Sequence, residues 1–157
     1  MPTIISTKNI LDNANDFKYI AEKIVSDIDT KYKHYPVQFF VNGLLSIELY
    51  LKTIYFANNG DYPKNDKNKG IHSLIELFNI IPDVDQDKLK EKYSDIESVL
   101  REYADGFIKF RYSYENFSLY GNQEKVMNLM KIFQDHCNNE YSEIIKKYFD
   151  SNQIWYI

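Results

Sequence analysis

Two charged residues, Glu48 and Arg111, stand on otherwise apolar helical stripes of the sequence. Glu48 lies between Leu44 and Leu51 on its stripe, and Lys52 follows it at the i+4 spacing that favours a Glu–Lys ion pair. A carboxylate or guanidinium that faces a core without a partner costs several kcal/mol of stability. The sequence therefore predicts either ion pairs inside the core or a polar cleft at these positions.

Arg111 shares its predicted stripe with Phe107 and Tyr114, and Glu115 follows it at i+4. The chain has 19 basic residues and only two of them are arginine, so an arginine at this place indicates that the geometry of the guanidinium is needed. One interpretation is an internal ion pair of Arg111 with Glu48 or Glu115 that fixes helix register. The other is a cleft between the second and fourth helices in which Arg111 holds a phosphate bidentately. Both can hold together.

The three histidines are scattered along the chain. His72 lies at the predicted start of a short helix, where it caps the helix or packs on aromatic rings, or, facing the cleft, is a candidate general acid or base. His34 lies in a polar loop and is expected to be solvated. His136 lies at the edge of an apolar stripe with no ligand set nearby, and its neighbour Cys137 is predicted to be a core residue.

Aromatic residues flank Arg111, among them Tyr112 and Tyr114. They are either stacking platforms for bases or helix-face core combined with a dimer interface. The sequence has no nucleophile motif, glycine-rich phosphate loop, HExxH or CxxC, so neither a metal nor a cofactor is expected.

Composition excludes several classes of protein. The chain has 157 residues, a formal net charge of −4 and one cysteine, which fits a single domain over residues 1–157 without a disulfide framework. No apolar run approaches the roughly 18–20 residues of a membrane span, and the N-terminus lacks the features of a signal peptide. The expected location is therefore cytoplasmic, away from the membrane.

The elements that position these residues are predicted to be helices. Glycine and proline act as punctuation between segments of helical periodicity, and no alternating strand pattern is present. The expected fold class is all-α, an up-down bundle of four long helices plus one short helix. The long helices are expected at about 8–30, 36–57, 87–117 and 121–149, the short one at 72–80, a mobile polar loop at about 58–70, and an apolar C-terminal tail at 151–157 that docks on the body or on a partner.

Three segments, in this order, resemble the HEPN family, named for higher eukaryotes and prokaryotes nucleotide-binding. They are LLSIELYLK at 44–52, KGIHSL at 69–74 with Leu77 and Phe78 following, and FRYSYE at 110–115. The resemblance extends over about residues 12–148 and implies a HEPN-like helical bundle that forms a homodimer. The resemblance also implies a choice of functions. Many HEPN domains are metal-independent RNases in toxin–antitoxin or phage-defence systems, and others are inactive scaffolds or RNA-binding modules.

The sequence departs from the active members of that family at one position. Active members carry an arginine and a histidine separated by four to six residues on the last long core helix. Arg111 matches the arginine, but Asn116, Phe117 and Ser118 occupy the places of the histidine. Arg101 has no histidine within reach downstream either. The general acid/base of that chemistry is missing at its usual place, which would cost roughly two to four powers of ten in rate.

The leading hypothesis is thus a non-catalytic HEPN-like module that dimerises and binds a nucleotide, RNA or a protein partner. That protein partner would be a cognate antitoxin or a nucleotidyltransferase-type protein. The expected ligand-binding residues are Arg111, Lys52, Tyr112 and Tyr114.

Two alternatives stay open at this point. The first is a metal-independent endoribonuclease with a rearranged site. Its candidate catalytic residues are Arg111, Glu115, His72 and Glu48. The second is a purely structural dimerisation domain, whose polar residues only hold the bundle together.

Overall fold

The computed structural model describes residues 2–26, 35–111, 121–141 and 143. In this part of the chain seven segments are helical and none forms a β-strand. The β-type pairing among these residues is an isolated antiparallel bridge between Lys64 and Gly70. The all-α class is therefore confirmed for the described residues. The helices are α1 (Pro2–Ser26), α2 (Tyr35–Asn59), α3 (Leu74–Ile80), α4 (Asp83–Lys92), α5 (Ile96–Glu102), α6 (Gly106–Arg111) and α7 (Gln123–Glu140).

The central element is α2, which packs against α1, α3, α6 and α7. Its fully buried apolar side chains recur at three- and four-residue steps, so one continuous stripe faces the core. That stripe consists of Leu44, Ile47, Leu51 and Ile54. Since α2 is surrounded on several sides, a polar residue within this stripe is enclosed by the bundle.

The expected single helix over 87–117 is wrong, because the described part of it is divided among α4, α5 and α6. The first break lies at Tyr93, which has an extended backbone with φ of −149°. The second lies between Tyr103 and Asp105, where the Ala104 carbonyl accepts a hydrogen bond of 3.0 Å from the Leu74 N–H of α3. Tertiary contacts with α3 thus take up a carbonyl that a continuous helix would have used internally.

A glycine permits the close contact between α6 and α2. A Cβ atom added to Gly106 would lie 2.5 Å from Cδ1 of Leu44, a separation that non-bonded carbon atoms do not tolerate. The helix that ends at Arg111 therefore packs closely on the central helix, near the stripe that carries Glu48.

The limits of α2 and the starts of α3 and α7 agree with the prediction to within two residues, whereas α1 begins at Pro2, six residues before the expected start. In α2, Pro36 occupies the first turn, where its missing N–H breaks no helical hydrogen bond. The α3 helix begins two residues later than expected, which leaves His72 in the preceding connection. The α7 helix is capped by Asn122, whose side chain accepts from the Lys125 N–H at 3.1 Å. The expected continuation of the last helix to 149 and the tail at 151–157 lie outside the described residues.

The polar loop after α2 is held by hydrogen bonds within it, and its mobility stays a prediction. The Asn65 side-chain oxygen accepts from the backbone N–H groups of Lys67 and Lys69, both at 3.0 Å. The Ile71 N–H donates to the Pro63 carbonyl at 3.3 Å, which draws the two ends of the loop together. The last of these hydrogen bonds fixes the backbone at the residue before His72.

Candidate functional site

Glu48 and Lys52 form the ion pair that their spacing predicts. The Lys52 Nζ atom lies 2.6 Å from Glu48 Oε1, on the face of α2 that points into the bundle. The Glu48 side chain is only 3% exposed and that of Lys52 only 13%. Burial of a carboxylate is costly unless a cation and hydrogen bonds compensate it, and Lys52 supplies the cation here.

His72 joins the same carboxylate from the loop. Its Nδ1 atom lies 2.9 Å from Glu48 Oε1, so the imidazole is directed toward α2. Because a carboxylate oxygen only accepts, Nδ1 must carry a proton. Nε2 is then bare in the neutral ring and becomes a donor when the ring is protonated. The side chain is 55% exposed, and it connects the buried carboxylate to solvent.

The second carboxylate oxygen of Glu48 is buried and has no hydrogen-bond partner among the described residues. Both Lys52 and His72 contact Oε1, so all of the described pairing falls on one of the two oxygens. Lys52 donates one hydrogen bond within the described part of the chain, and an ammonium group has three donors. We call Glu48, Lys52 and His72 the Glu48 cluster.

The loop that leads to His72 is slightly basic, whereas the chain as a whole is acidic. Three of its lysines, Lys64, Lys67 and Lys69, are exposed, and so are Asp61 and Asp66. Lys64 pairs with Asp61 at 3.5 Å. These five side chains sum to one positive charge, against a net charge of −4 for the chain.

The structure does not test the other predicted site residues. The backbone of Arg111 forms the last residue of α6, and α6 packs on α2, but the Arg111 side chain lies outside the described part of the chain. Tyr112, Tyr114 and Glu115 also lie outside it. An ion pair between Arg111 and Glu48 stays a prediction.

A second polar cluster lies deep between α4 and α7. His136 Nε2 is 2.7 Å from Asp85 Oδ1, and the Tyr141 hydroxyl donates to Asp85 Oδ2 at 2.8 Å. Asn58 Nδ2 of α2 donates to the Tyr141 oxygen at 2.9 Å. The side chains of His136 and Asp85 are 1% and 5% exposed, so they are out of reach of a ligand and instead hold three helices together.

Sequence reasoning missed this second cluster and placed nothing near His136. The signal that could have found it is the position of Asp85 four residues before the buried Leu89, on the inner face of α4. A carboxylate at such a position predicts a buried partner, but its identity depends on which helix packs opposite.

Cys137 is confirmed as a core residue. It is fully buried, and its Sγ atom lies 3.8 Å from the Tyr50 carbonyl oxygen. Burial raises the pKa of the Cys137 thiol, because the thiolate would lose its hydration without a compensating cation. The side chain cannot act as a nucleophile in the folded chain.

Within the described ranges, no three or more His, Cys, Asp or Glu residues come together in a group that could hold a metal ion. The same ranges contain no helix with both the length and the apolarity needed to cross a membrane. Comparison with protein-family models, with curated proteins and with solved structures found no match to the chain. The likeness to HEPN domains therefore rests on the three sequence segments alone.

Proposed function

We propose that the chain is a HEPN-like helical module that binds the phosphates of RNA or of a nucleotide without cleaving them. The proposed binding face comprises the Glu48 cluster, the lysines of the loop before His72, and Arg111 at the end of α6. This face combines a buried Glu–Lys ion pair with an exposed imidazole and the basic side chains around it.

The observation that carries the proposal is the buried carboxylate of Glu48, which holds an ammonium and an imidazole together at 2.6 and 2.9 Å. A Glu–Lys pair alone is explained by helix packing. An imidazole that is half exposed gains little for the fold from the same carboxylate, but it is oriented and ready to donate to a ligand. Phosphate oxygens are the natural acceptors for such a set of donors.

Local charge supports a phosphate ligand over a neutral one. Phosphate contacts need positive potential where they form, irrespective of the net charge of the protein. The loop beside His72 contributes one positive charge in total, from Lys64, Lys67 and Lys69 against Asp61 and Asp66. Arg111 adds a guanidinium in the segment that resembles the family's arginine motif.

Binding without cleavage follows from the missing histidine after Arg111. The likeness to HEPN domains implies RNase chemistry only when a histidine follows the arginine at the required spacing, and Asn116 to Ser118 contain none. Without that proton shuttle the arginine retains its capacity to hold a phosphate but has no partner to move the proton.

A metal-independent RNase is the second candidate, and one observation favours it. The Glu48 carboxylate holds Nδ1–H of His72 and leaves Nε2 bare and exposed, which is the arrangement of an oriented general base. A ribose 2′-hydroxyl that reached Nε2 could lose its proton there and attack the adjacent phosphate. The new bond would close a 2′,3′-cyclic phosphate while the bond to the 5′-oxygen of the next nucleotide breaks, and that oxygen would take up a proton as it leaves.

We also propose that the module is a homodimer and works in a toxin–antitoxin or phage-defence setting, with an antitoxin or a nucleotidyltransferase-type protein as its partner. Adjacent exposed apolar side chains on α1, Tyr19 and Ile20, support association through this helix. Light scattering of the purified protein measures the oligomeric state directly, and a monomer at all concentrations would contradict this part of the proposal.

The test of the function is binding of a fluorescently labelled single-stranded RNA, followed by anisotropy, with Lys52→Gln and Arg111→Gln beside the wild type. We expect each variant to weaken binding by about tenfold, because each removes a charge-assisted hydrogen bond to phosphate. Lys131→Gln, a change of the same charge at an exposed residue of α7, is the matched control and should leave the affinity within about twofold.

The same samples distinguish binding from cleavage. The RNA is incubated with the wild type in EDTA and analysed for cleavage products, with His72→Ala alongside. Binding without products supports the leading proposal. Cleavage that His72→Ala abolishes would establish the RNase instead, and equal binding by the wild type, Lys52→Gln and Arg111→Gln would refute the proposed face.

A further inference from the structure

We propose that phosphate binding at the Glu48 cluster is coupled to protonation of His72, so that the site holds an anion when the imidazole is charged and releases it when the imidazole is neutral. This inference rests on the proposed function and adds its regulation by pH. It depends on three features of the cluster, namely the shared carboxylate oxygen, the direction of the His72 ring and the charge balance.

The direction of the ring determines what it offers to a ligand. Because Nδ1 donates to Glu48 Oε1 at 2.9 Å, the atom that remains for a ligand is Nε2. In the neutral ring Nε2 is an acceptor, and it repels a phosphate oxygen, which is also an acceptor. In the protonated ring Nε2–H is a donor with a positive charge, and it attracts the same oxygen.

The surroundings of Nε2 leave room for such a ligand. A Cβ atom added to Gly70 would lie 3.7 Å from His72 Nε2, in ordinary van der Waals contact, so a side chain at position 70 would stand against this atom. With glycine at that position, the loop backbone passes Nε2 without covering it, and the side chain is 55% exposed. A ligand can therefore approach His72 Nε2 from the side on which the loop lies.

The protonation state of His72 determines the net charge of the Glu48 cluster. Glu48 and Lys52 neutralise each other at 2.6 Å, so the cluster carries no net charge when the imidazole is neutral and one positive charge when it is protonated. Imidazoles titrate between about pH 5 and 8, whereas lysine side chains stay charged and carboxylates paired with a cation stay ionised over that range. A change in anion affinity of the cluster near neutral pH therefore has its source in His72.

The other charged groups on the elements around His72 are lysines and carboxylates, residue types that do not ordinarily titrate near neutral pH. They are Asp61, Lys64, Asp66, Lys67 and Lys69 of the loop, Glu76 of α3, and Asp105 in the turn that pairs with α3. They shift the overall potential but not its dependence on pH. The other described histidine, His136, is buried against Asp85 and serves as an internal reference.

The first test is an NMR titration of the histidine side chains in ¹⁵N-labelled protein, with His72→Gln to assign the signals. We expect the neutral His72 ring to carry its proton on Nδ1, the opposite of the tautomer that predominates in water. Sulfate is an anion that does not titrate near neutral pH. Sodium sulfate should raise the titration midpoint of His72 relative to sodium chloride of equal ionic strength, and it should leave the signals of His136 unchanged. A midpoint that is the same in both salts would overturn the coupling.

The second test measures affinity across pH with an oligouridylate that lacks terminal phosphates and carries 2′-O-methyl groups, so that neither ligand titration nor cleavage contributes. Between about pH 6 and 8 we expect the wild type to lose about tenfold in affinity, as a charge-assisted hydrogen bond to phosphate disappears. His72→Gln, which retains a donor for Glu48, should bind weakly and without this dependence. His72→Lys, which remains charged, should bind tightly across the whole range.

The outcomes separate this inference from the proposed function. Binding that weakens equally with pH in the wild type and His72→Gln would overturn the coupling and leave the function standing. Absence of RNA binding at every pH would refute the function, and a midpoint of His72 that still rises in sulfate would then identify the cluster as a site for small anions only.

Discussion

Asp85 allows the sharpest test of how the bundle is held together. It accepts two hydrogen bonds inside the core, one from His136 at 2.7 Å and one from the Tyr141 hydroxyl at 2.8 Å. The substitution Asp85→Asn keeps the shape of the side chain but replaces one accepting oxygen with an NH₂ group. The NH₂ group cannot accept, so one of the two hydrogen bonds to this side chain is lost or must reverse its direction.

The expected cost follows from this count. A buried donor left without an acceptor costs about 1–3 kcal/mol, and more where the lost acceptor was charged. We therefore expect Asp85→Asn to lower the free energy of unfolding by about 2–4 kcal/mol, a large part of the 5–15 kcal/mol typical of a domain. For a chain of this size that corresponds to a fall in Tm of roughly 4–16 °C.

The assay is urea denaturation followed by circular dichroism at fixed pH. Asp83→Asn, at an exposed position in the first turn of the same helix, is the matched control and should change the free energy of unfolding by less than about 1 kcal/mol. Tyr141→Phe removes one of the two donors, so its effect and that of Asp85→Asn should combine less than additively. If Asp85→Asn is as mild as Asp83→Asn, the buried cluster does not hold α4 against α7 and the reasoning fails.

Three further predictions concern the core. Gly121→Ala should destabilise the protein by about 1–3 kcal/mol in the same assay, because an added Cβ would lie 2.3 Å from the buried ring of Phe40; unchanged stability would show that this contact relaxes freely. Burial raises the pKa of Tyr50 and of Tyr141, so the stability these phenols contribute is complete below their ordinary pKa of about 10 and declines as pH rises above it. Urea denaturation between about pH 9 and 11 checks this sign. Cys137 should react with a thiol reagent only as fast as the protein unfolds, and rapid reaction in native buffer would contradict its burial.

Local rules of the sequence predicted a substantial share of the fold and of the site. The all-α class, the limits of α2, the burial of Cys137 and the pairing of Glu48 with Lys52 all follow from spacing along one helix. Glu48 and Lys52 are about one helical turn apart, so helical geometry alone brings them together. The other features depend on the periodicity of apolar residues along one segment.

The segment after Pro82 shows where such rules fail. Helical periodicity continues from 87 to beyond 100, and it predicted one long helix. The structure ends α4 at Lys92 and α5 at Glu102, and the Ala104 carbonyl bonds to α3. Periodicity records which face of the chain is apolar, but it does not record whether the backbone turns between two apolar segments.

By itself, then, the sequence determined the all-α class, which faces of the chain are apolar, and that Glu48 needs a partner within reach. Only the tertiary structure decided that His72 is a second partner of Glu48, 24 residues away, and that Asp85 and His136 meet across 51 residues. The physical reason is that contacts within a helix are fixed by its repeat, whereas contacts between helices depend on packing, and packing is settled by the fit of all the side chains at once.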